Sequence, residues 1–502
     1  MNSVRTQAEL NSLLWKAACN TYGVISPINY KDYVLPLLFF KYMSDNFKAK
    51  KKAIEAKFPD KPTRVENLLR EEARFYLEEG YTFDCLVKDK NKDNLGQRIN
   101  EILHHIEDNN QEKLENVFRH INFNNEHVLG ERSTRNRMLR ELIETFDKVD
   151  LSTFGDDIIG NAYMYLIQQF GSDAKKGGEF FTPQCLADLL VRLGDPKKGA
   201  KICDPTCGSG GLLLLAGQHI IDEEGVNDFS LFGQEQQSEN YNLCRINMFL
   251  HNYDSAKIVR GDTLKTPKLT TETGLETFDL VLANPPFSVP WEAPEEDKYN
   301  RYHRGDAPKT KADYAFISHM IETAKRQEGR VAVIVPHGVL FRGAVEGRIR
   351  KQLIEENLLD AVIGVPSNLF QTVSIPVAIL LFDRSREKGG AREHEKDVLF
   401  IDASKDFIPG KNQNTLSDEQ VDRIVNAYKA RETEDKFASK VSFEEIKEND
   451  FNLNIPRYVD TFEEEEIIDL KDAWEDVQKI EEKVEKCKAN LMTHLKKFEG
   501  VM

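Results

Sequence analysis

The sequence predicts an α/β protein built on a doubly wound, Rossmann-like sheet, with a helical domain before it and a helical tail after it. Three observations carry that prediction. Short apolar runs alternate with helix-length segments from about residue 156 to 460. One of them runs into a Gly-rich turn and then a helix, Ala200-Lys-Ile-Cys-Asp204-Pro-Thr-Cys-Gly208-Ser209-Gly210-Gly211-Leu-Leu-Leu-Leu. Another, Phe278-Asp-Leu-Val-Leu-Ala-Asn284-Pro285-Pro286-Phe287, ends abruptly in two prolines.

Residues 1–155 read as a helical domain. Leu10, Leu13, Leu14, Ala17 and Ala18 share one helix face. Tyr33 to Phe47 forms a second apolar helix, with Pro36 tolerated near its start. Lys48 to Pro62 is charged and Pro-interrupted, so it reads as a helix end and loop, and helices continue to Val149. In the domain 156–460 further strands are expected at Phe229–Glu235, Lys257–Asp262, Arg330–Val335, Asp360–Val365 and Val377–Phe382, with a helix at Val345–Glu356 and a polar turn at Glu387–Glu395. The tail 461–502 places Ile467, Leu470, Trp474, Val477, Ile480, Val484, Cys487, Leu491, Leu495 and Phe498 at spacings of three and four with charges between. Such a thin stripe reads as a face for a partner helix, against the blander reading of a helix folded back on its own domain.

The chemistry gathers at strand ends. Prolines stop the strand after Asn284, leaving its amide at the carboxyl edge, where open α/β sheets bind ligands. The Asn284 oxygen and the Pro285 carbonyl make two adjacent acceptors, and Phe287 adds a flat apolar face. Together they suit a planar amino group whose ring stacks. In the Gly-rich turn, glycines permit close backbone approach, and the following helix N-terminus favours a carboxylate or phosphate. Glu235 closes the next strand, a position that takes ribose hydroxyls in nucleoside-binding sheets. Asp262 closes the third and is placed to accept from an adenine amino group. Any one acid alone reads as a solvated loop carboxylate; Asp204, Glu235, Asp262 and Asn284 closing successive strands do not.

These motifs resemble an S-adenosylmethionine-dependent amino-methyltransferase, and more narrowly the modification subunit of type I restriction-modification systems. Gly178-Glu179-Phe180-Phe181-Thr182-Pro183, with Gln184 after it, resembles the family's cofactor motif. Tyr241–His251, Val339-Leu-Phe-Arg342-Gly, Val365-Pro-Ser-Asn-Leu-Phe370 and Asn452-Leu-Asn-Ile-Pro-Arg457-Tyr458 resemble further segments in the expected order. The likeness runs from about Asn20 to Val459; Thr206-Cys207 in the Gly-rich loop departs from the pattern and puts that loop's detailed contacts in doubt. The resemblance implies methyl transfer to adenine N6 in a specific double-stranded DNA site, on a base flipped out of the duplex. It implies S-adenosylmethionine held by Glu179, Phe180, Phe181, Thr182, Pro183, Gln184, Asp204, Gly208, Ser209, Gly210, Gly211, Glu235 and Asp262, and catalysis by Asn284, Pro285, Pro286 and Phe287. It also implies a sequence-specificity subunit, with two copies of this chain to each, and a tail used for that assembly. The N-terminal helices are then expected to help clamp DNA. A motor and nuclease subunit belongs on another polypeptide, since the chain has no G-x-x-x-x-G-K-[ST] loop. Cytosine C5 methylation needs a nucleophilic Cys, typically after Pro, and there is no Pro-Cys dipeptide. A glutamine or RNA amino-methyltransferase also uses Asn-Pro-Pro-aromatic, and an inactive assembly scaffold is the third reading.

Composition bounds the rest. With 502 residues, 40% hydrophobic and 30% charged, the chain reads as globular with about three domains. Seven scattered cysteines without a C-x-x-C pair read as reduced core or loop residues, so a cytoplasmic setting and no metal are expected. No apolar run approaches the roughly 20 residues of a membrane span, and no signal pattern opens the chain. A net charge of −16 is the wrong sign for gripping DNA unaided. Two basic segments are candidates for local contact. Arg132, Arg135, Arg137 and Arg140 form one, which reads equally as a solvated face. Lys298 to Lys311, with Arg301, Tyr302, His303, Arg304 and Lys309, is expected to face DNA because it follows Phe287 closely.

Overall fold

Nine strands pair into one sheet: β1 (Lys201–Asp204), β2 (Ser230–Glu235), β3 (Lys257–Arg260), β4 (Leu280–Ala283), β5 (Arg330–Pro336), β6 (Leu359–Gly364), β7 (Val377–Asp383), β8 (Val398–Asp402) and β9 (Ala438–Val441). Their order is β3-β2-β1-β4-β5-β7-β6-β8-β9. In this computed structural model, residues 6–19, 27–173, 182–370, 375–411, 413–461 and 470–498 are described. β1 runs parallel to both β2 and β4, β2 to β3, and β4 to β5. β7 is antiparallel to β5 and β6. The order reverses across β1, which opens a crevice at the carboxyl ends of β1, β2 and β4.

The near-continuous apolar strands follow from cover on both faces. Every residue of β4, β6 and β7 is buried. Side chains alternate between two cores: Ala332 and Ile334 of β5 meet Leu189, Leu190 and Leu213, whereas Val331, Val333 and Val335 meet Tyr314, Ile317 and Ile321. β8 and β9 lie outside the expected set. β9 carries Ser439 and Lys440 and reads poorly as a strand, since it is an edge.

The expected helical layer is present, with corrections. The helix expected from Tyr33 to Phe47 runs from Pro27 to Lys57, so Pro36 lies inside it and the stretch to Lys57 is helix rather than loop. Proline removes only its own N–H there, and Val34, Leu35, Leu37, Leu38, Phe39 and Phe40 are all buried around it, which offsets the lost bond. Pro62 opens the next helix, Pro62–Glu72, at the position where a missing donor costs least. The helix Asp156–Asp173 joins this layer's core through Ile159, Tyr163, Leu166 and Phe170.

The layer is mounted on the sheet by the helix Ser238–Leu250. Its Leu243, Ile246, Phe249 and Leu250 belong to the helical core. Phe249 lies parallel to Phe39 at 6.0 Å and edge-on to Phe75 at 5.5 Å. Arg74 reaches across to Asn252 at 2.7 Å and to Asp254.

Past β7 the chain is anchored by one buried carboxylate. Asp360 accepts from Arg386, from Arg431 at 2.8 Å, from Arg392 at 3.2 Å and from the Tyr428 hydroxyl at 2.6 Å. Burial alone would raise its carboxyl, but the three guanidiniums outweigh it and hold it at about 2. Through Arg392 the same carboxylate ties down the polar turn 387–395.

Asp460–Met502 is a separate unit. It holds the helix Leu470–Phe498, on which Trp474, Val477, Ile480, Val484, Leu491 and Met492 are exposed. Ile467 lies outside the described residues. Cys487 is exposed on this helix, against the expectation of core or loop, while Cys203, Cys207 and Cys244 are buried. No helix among the described residues is long and apolar enough to cross a membrane.

Phe249→Ala is expected to destabilise the chain by about 3–5 kcal/mol, because the cavity opens where two aromatic neighbours converge. A lower denaturation midpoint in urea, followed by circular dichroism, is the check.

Candidate active site

The Gly-rich loop is shaped by its own backbone and by β2. Asp204, at the end of β1, accepts from the Thr206 N–H at 2.9 Å and the Thr206 hydroxyl at 3.4 Å. The Cys207 N–H donates to the Gln234 carbonyl at 3.1 Å, and the Gly210 N–H to the Cys207 carbonyl at 2.7 Å. Thr206 and Cys207, the departure from the resembled pattern, therefore serve the turn itself. Gly208 and Gly210 sit at φ 52° and 83°, the left-handed region. A Cβ on Gly210 would lie 2.6 Å from Met248 Cε and 2.8 Å from Cys244 Sγ, so the loop lies flat against the helix Ser238–Leu250. From the same helix Asn247 Nδ2 donates to the Ser209 carbonyl at 2.9 Å.

Glu235, at the end of β2, closes over the loop. Its Oε2 accepts from the Gly208 N–H at 3.0 Å and its Oε1 from the Gln237 N–H at 2.8 Å. Each carboxylate oxygen keeps a further lone pair. Asp262 Oδ1 accepts from the Leu264 and Lys265 N–H groups at 2.9 and 3.0 Å. Burial pushes the Asp204 carboxyl up to about 7, with the Glu235 charge adding to the effect. Burial also raises Glu235, against the pull of its backbone donors.

Asn284 follows β4. Its Nδ2 donates to Thr182 Oγ1 at 3.1 Å, while its Oδ1 is buried with no hydrogen-bond partner among the described residues. That leaves an acceptor whose burial is costly unless a donor meets it. Phe287 is half-buried and meets Phe370 edge-on, 5.7 Å between ring centres at 89°.

Two cavities share these residues. One of about 1050 Å³ is lined by Glu235, Asp262, Asn284, Pro285, Pro286, Phe287 and Phe370. The other, of about 510 Å³, is lined by Asp204, Gly208, Ser209, Gly211, Thr182, Gln184 and Asn284. Asn284 and Thr206 line both. Pro183 and Gly210 line neither: Pro183 caps the helix Gln184–Gly194, and Gly210 faces Met248 and Cys244. Glu179, Phe180 and Phe181 lie outside the described residues. Sequence reasoning gave no role to Phe370, nor to Asn161, Tyr165 and Gln168, which line the second cavity from the helix Asp156–Asp173. Phe370 carried a signal, an aromatic just beyond a strand end; the other three sit on a helix counted with the packing layer.

The basic segments need correction. Arg301 is 1% exposed and donates to the Thr263 and Leu264 carbonyls at 2.9 and 2.7 Å. Arg304 is locked between Glu322 at 2.9 Å and Glu356 at 2.6 Å, and the Tyr302 hydroxyl bonds the Leu264 carbonyl. These groups are spent on internal contacts rather than facing DNA; His303 and Lys309, by contrast, are exposed, and Lys309 lines the larger cavity. In the earlier segment Arg135 is buried, while Arg132 and Arg137 are exposed.

A crevice at the strand ends with two acids, a Gly-rich turn and an orphaned amide acceptor has the chemistry to fit S-adenosylmethionine beside an amino substrate. The fold and site thus define an S-adenosylmethionine-dependent amino-methyltransferase. The chain belongs to the N-6 DNA methylase family, whose model matches residues 155–467, and the HsdM N-terminal domain model matches residues 10–146. It is similar to the type I restriction enzyme MpnII methylase subunit of Mycoplasma pneumoniae, 33% identical over 91% of this chain and 90% of that one. The MjaVIII methylase subunit of Methanocaldococcus jannaschii is 31% identical over 90% and 78%. The crystal structure of the type I restriction-modification methyltransferase subunit from Streptococcus thermophilus superposes with a TM-score of 0.79, 34% identical, covering 91% of this chain and all of that one. The chain is accordingly an adenine-specific DNA methyltransferase of the type I restriction-modification class, with S-adenosylmethionine as cofactor.

Gly210→Val is expected to abolish cofactor binding by deforming the loop against Met248 and Cys244, and calorimetric titration reads the loss. Asp204 gives a pH dependence. Between an unfolded pKa of about 3.9 and the folded value of about 7, the folded chain holds a proton that the unfolded chain has released. Stability therefore falls as pH rises through that window and stays lower above it. Asp204→Asn, which cannot ionise, is expected to melt above wild type at pH 8 without cofactor, with the gap shrinking as pH falls below 7.

Proposed function

We propose that Asn284, Pro285, Pro286 and Phe287 hold the target adenine, and that Glu235, Asp262, Asp204, the loop Gly208–Gly211 and Thr182–Gln184 hold S-adenosylmethionine, with Glu179–Phe181 completing that set. The observation that carries this reading is the buried, unpartnered Asn284 Oδ1 beside Phe287 in the larger cavity. Bound S-adenosylmethionine supplies a sulfonium-activated methyl group. The chain's own residues prepare the acceptor. Asn284 Oδ1 accepts one N–H of the adenine amino group and the Pro285 carbonyl the other, drawing the nitrogen lone pair out of the ring and toward tetrahedral geometry. Thr182 keeps the Asn284 amide turned so that its oxygen faces the substrate. Phe287 stacks on the base and is itself braced edge-on by Phe370. The work is positioning and electrostatics without a covalent intermediate. The base leaves the duplex to reach this depth.

We further propose three parts: a helical domain over residues 1–155, the methyltransferase domain over 156–460 and an assembly tail over 461–502. A chain at −16 reaches a specific double-stranded site through a sequence-specificity subunit, with two copies of this chain to each, and a restriction subunit supplies motor and nuclease. The exposed stripe from Trp474 to Met492 supports a helix-to-helix contact with that subunit. The setting is the cytoplasm. The glutamine or RNA amino-methyltransferase and the inactive scaffold are not favoured.

Asn284→Ala is expected to lose methyl transfer while largely keeping S-adenosylmethionine affinity, because most of the proposed cofactor contacts lie on other elements and only Thr182 is bonded to Asn284. A radiolabelled transfer assay beside calorimetry tests it, and near-normal activity would sink the assignment. Ending the chain after Asp460 should leave cofactor affinity intact yet prevent a complex with the specificity subunit, read by gel filtration with light scattering. A truncated chain that still assembles would show that the tail has another task.

A further inference from the structure

The loop beyond Phe287 is secured on one side only by side chains. Farther along it, backbone bonds suffice: the Ala312 N–H donates to the Val289 carbonyl and the Trp291 N–H to the Lys309 carbonyl, both at 2.9 Å. At Ser288 the chain turns through φ 50°, a left-handed conformation that a serine adopts only when held. Asp313 holds it. Its Oδ1 accepts from the Ser288 N–H at 2.8 Å and its Oδ2 from the Ser288 hydroxyl at 3.1 Å. Arg342 completes the clamp: its Nη1 donates to Asp313 Oδ2 at 3.0 Å and to Glu346 Oε1 at 2.8 Å, and its Nη2 reaches Ser288 Oγ at 3.4 Å. Asp313 and Glu346 are both buried. The guanidinium lies over Gly338, where a Cβ would come within 2.3 Å of Arg342 Nε. The short helix Gly338–Phe341 is itself tied down by the Tyr314 hydroxyl, which donates to the Val339 carbonyl at 2.9 Å.

We propose that Asp313, braced by Arg342, is a positioning residue for methyl transfer: it fixes the turn at Ser288 and so sets where Phe287 and the Pro285 carbonyl stand. This rests on the substrate site proposed above. Asp313 touches no substrate atom. Among the described residues its two oxygens accept the two shorter side-chain bonds made by Ser288, the residue next to Phe287 on the side away from β4, at 2.8 and 3.1 Å against 3.4 Å from Arg342. Releasing them lets the turn relax out of the left-handed region and carries the aromatic face with it. The proposed cofactor contacts lie at the ends of β1 and β2, just beyond β3 and before the helix Gln184–Gly194, and Asp313 bonds none of them.

The test uses the full chain assembled with its specificity subunit on unmethylated DNA. Asp313→Ala is expected to lower kcat roughly a hundredfold, the scale of a misplacement of about 1 Å, with KM and Kd for S-adenosylmethionine unchanged. Arg342→Gln should act through the same contact. Its loss and that of Asp313→Ala will then be non-additive, the double variant being no slower than Asp313→Ala alone. A kcat within about twofold of wild type in Asp313→Ala, a KM and an unfolding temperature that fall together with kcat, or additive losses in the double variant would each overturn the proposal. If Asp313→Ala does not fold, Ser288→Ala and Arg342→Gln form the cycle instead, and additivity there overturns it equally. Asn284→Ala runs beside them. An active Asn284→Ala brings down the substrate site itself, whereas an inactive one beside an active Asp313→Ala brings down only the role of Asp313.

Discussion

The site depends on where β4 is made to stop. Two consecutive prolines cannot continue the ladder, so Asn284 is left at the lip between the two cavities, with its amide nitrogen tethered to Thr182. That tether joins a strand end to a segment far away in sequence. It also decides which amide atom is spent on the protein and which is left for a ligand. Strand register does the rest. β1 runs parallel to β4, β2 to β1 and β3 to β2, so the acids at their carboxyl ends reach the same edge as Asn284.

Around that edge the protein accepts strained and costly features close together. Asp204 and Glu235 are buried acids whose carboxyls are pushed upward, and their compensation comes from loop N–H groups rather than from guanidiniums. The contrast is Asp360, on the far side of the sheet, where three arginines surround a carboxylate that stays ionised and structural. A cationic ligand has something to gain at the first two and nothing at the third.

Much of this was legible in the sequence because the signals are local. The strand, the Gly-rich turn and the Pro-Pro stop each follow from residues within a few positions of one another, and β1 to β7 lie within a residue or two of the strands expected, whereas β8 and β9 were missed. Long-range packing was not legible. Pro36 reads as a helix boundary until the burial around it is known. Arg301 and Arg304 look like a DNA-facing run until their carbonyl and carboxylate partners appear from distant elements. Phe370 sits among residues whose likeness was noted, yet only the fold brings it against Phe287. The packing reason for Gly210 was not legible either: a Cβ there would meet Met248 and Cys244 of a helix some thirty residues on.

That neighbouring helix, Ser238–Leu250, is a party wall. Cys244, Asn247 and Met248 press on the glycine loop, while Leu243, Ile246, Phe249 and Leu250 face the helical layer. A fragment cut to the sheet alone would carry an uncovered stripe of large apolar side chains along the very element that backs its Gly-rich loop. The sheet and the helical layer thus share one wall, and a change on either face of that helix is felt on the other.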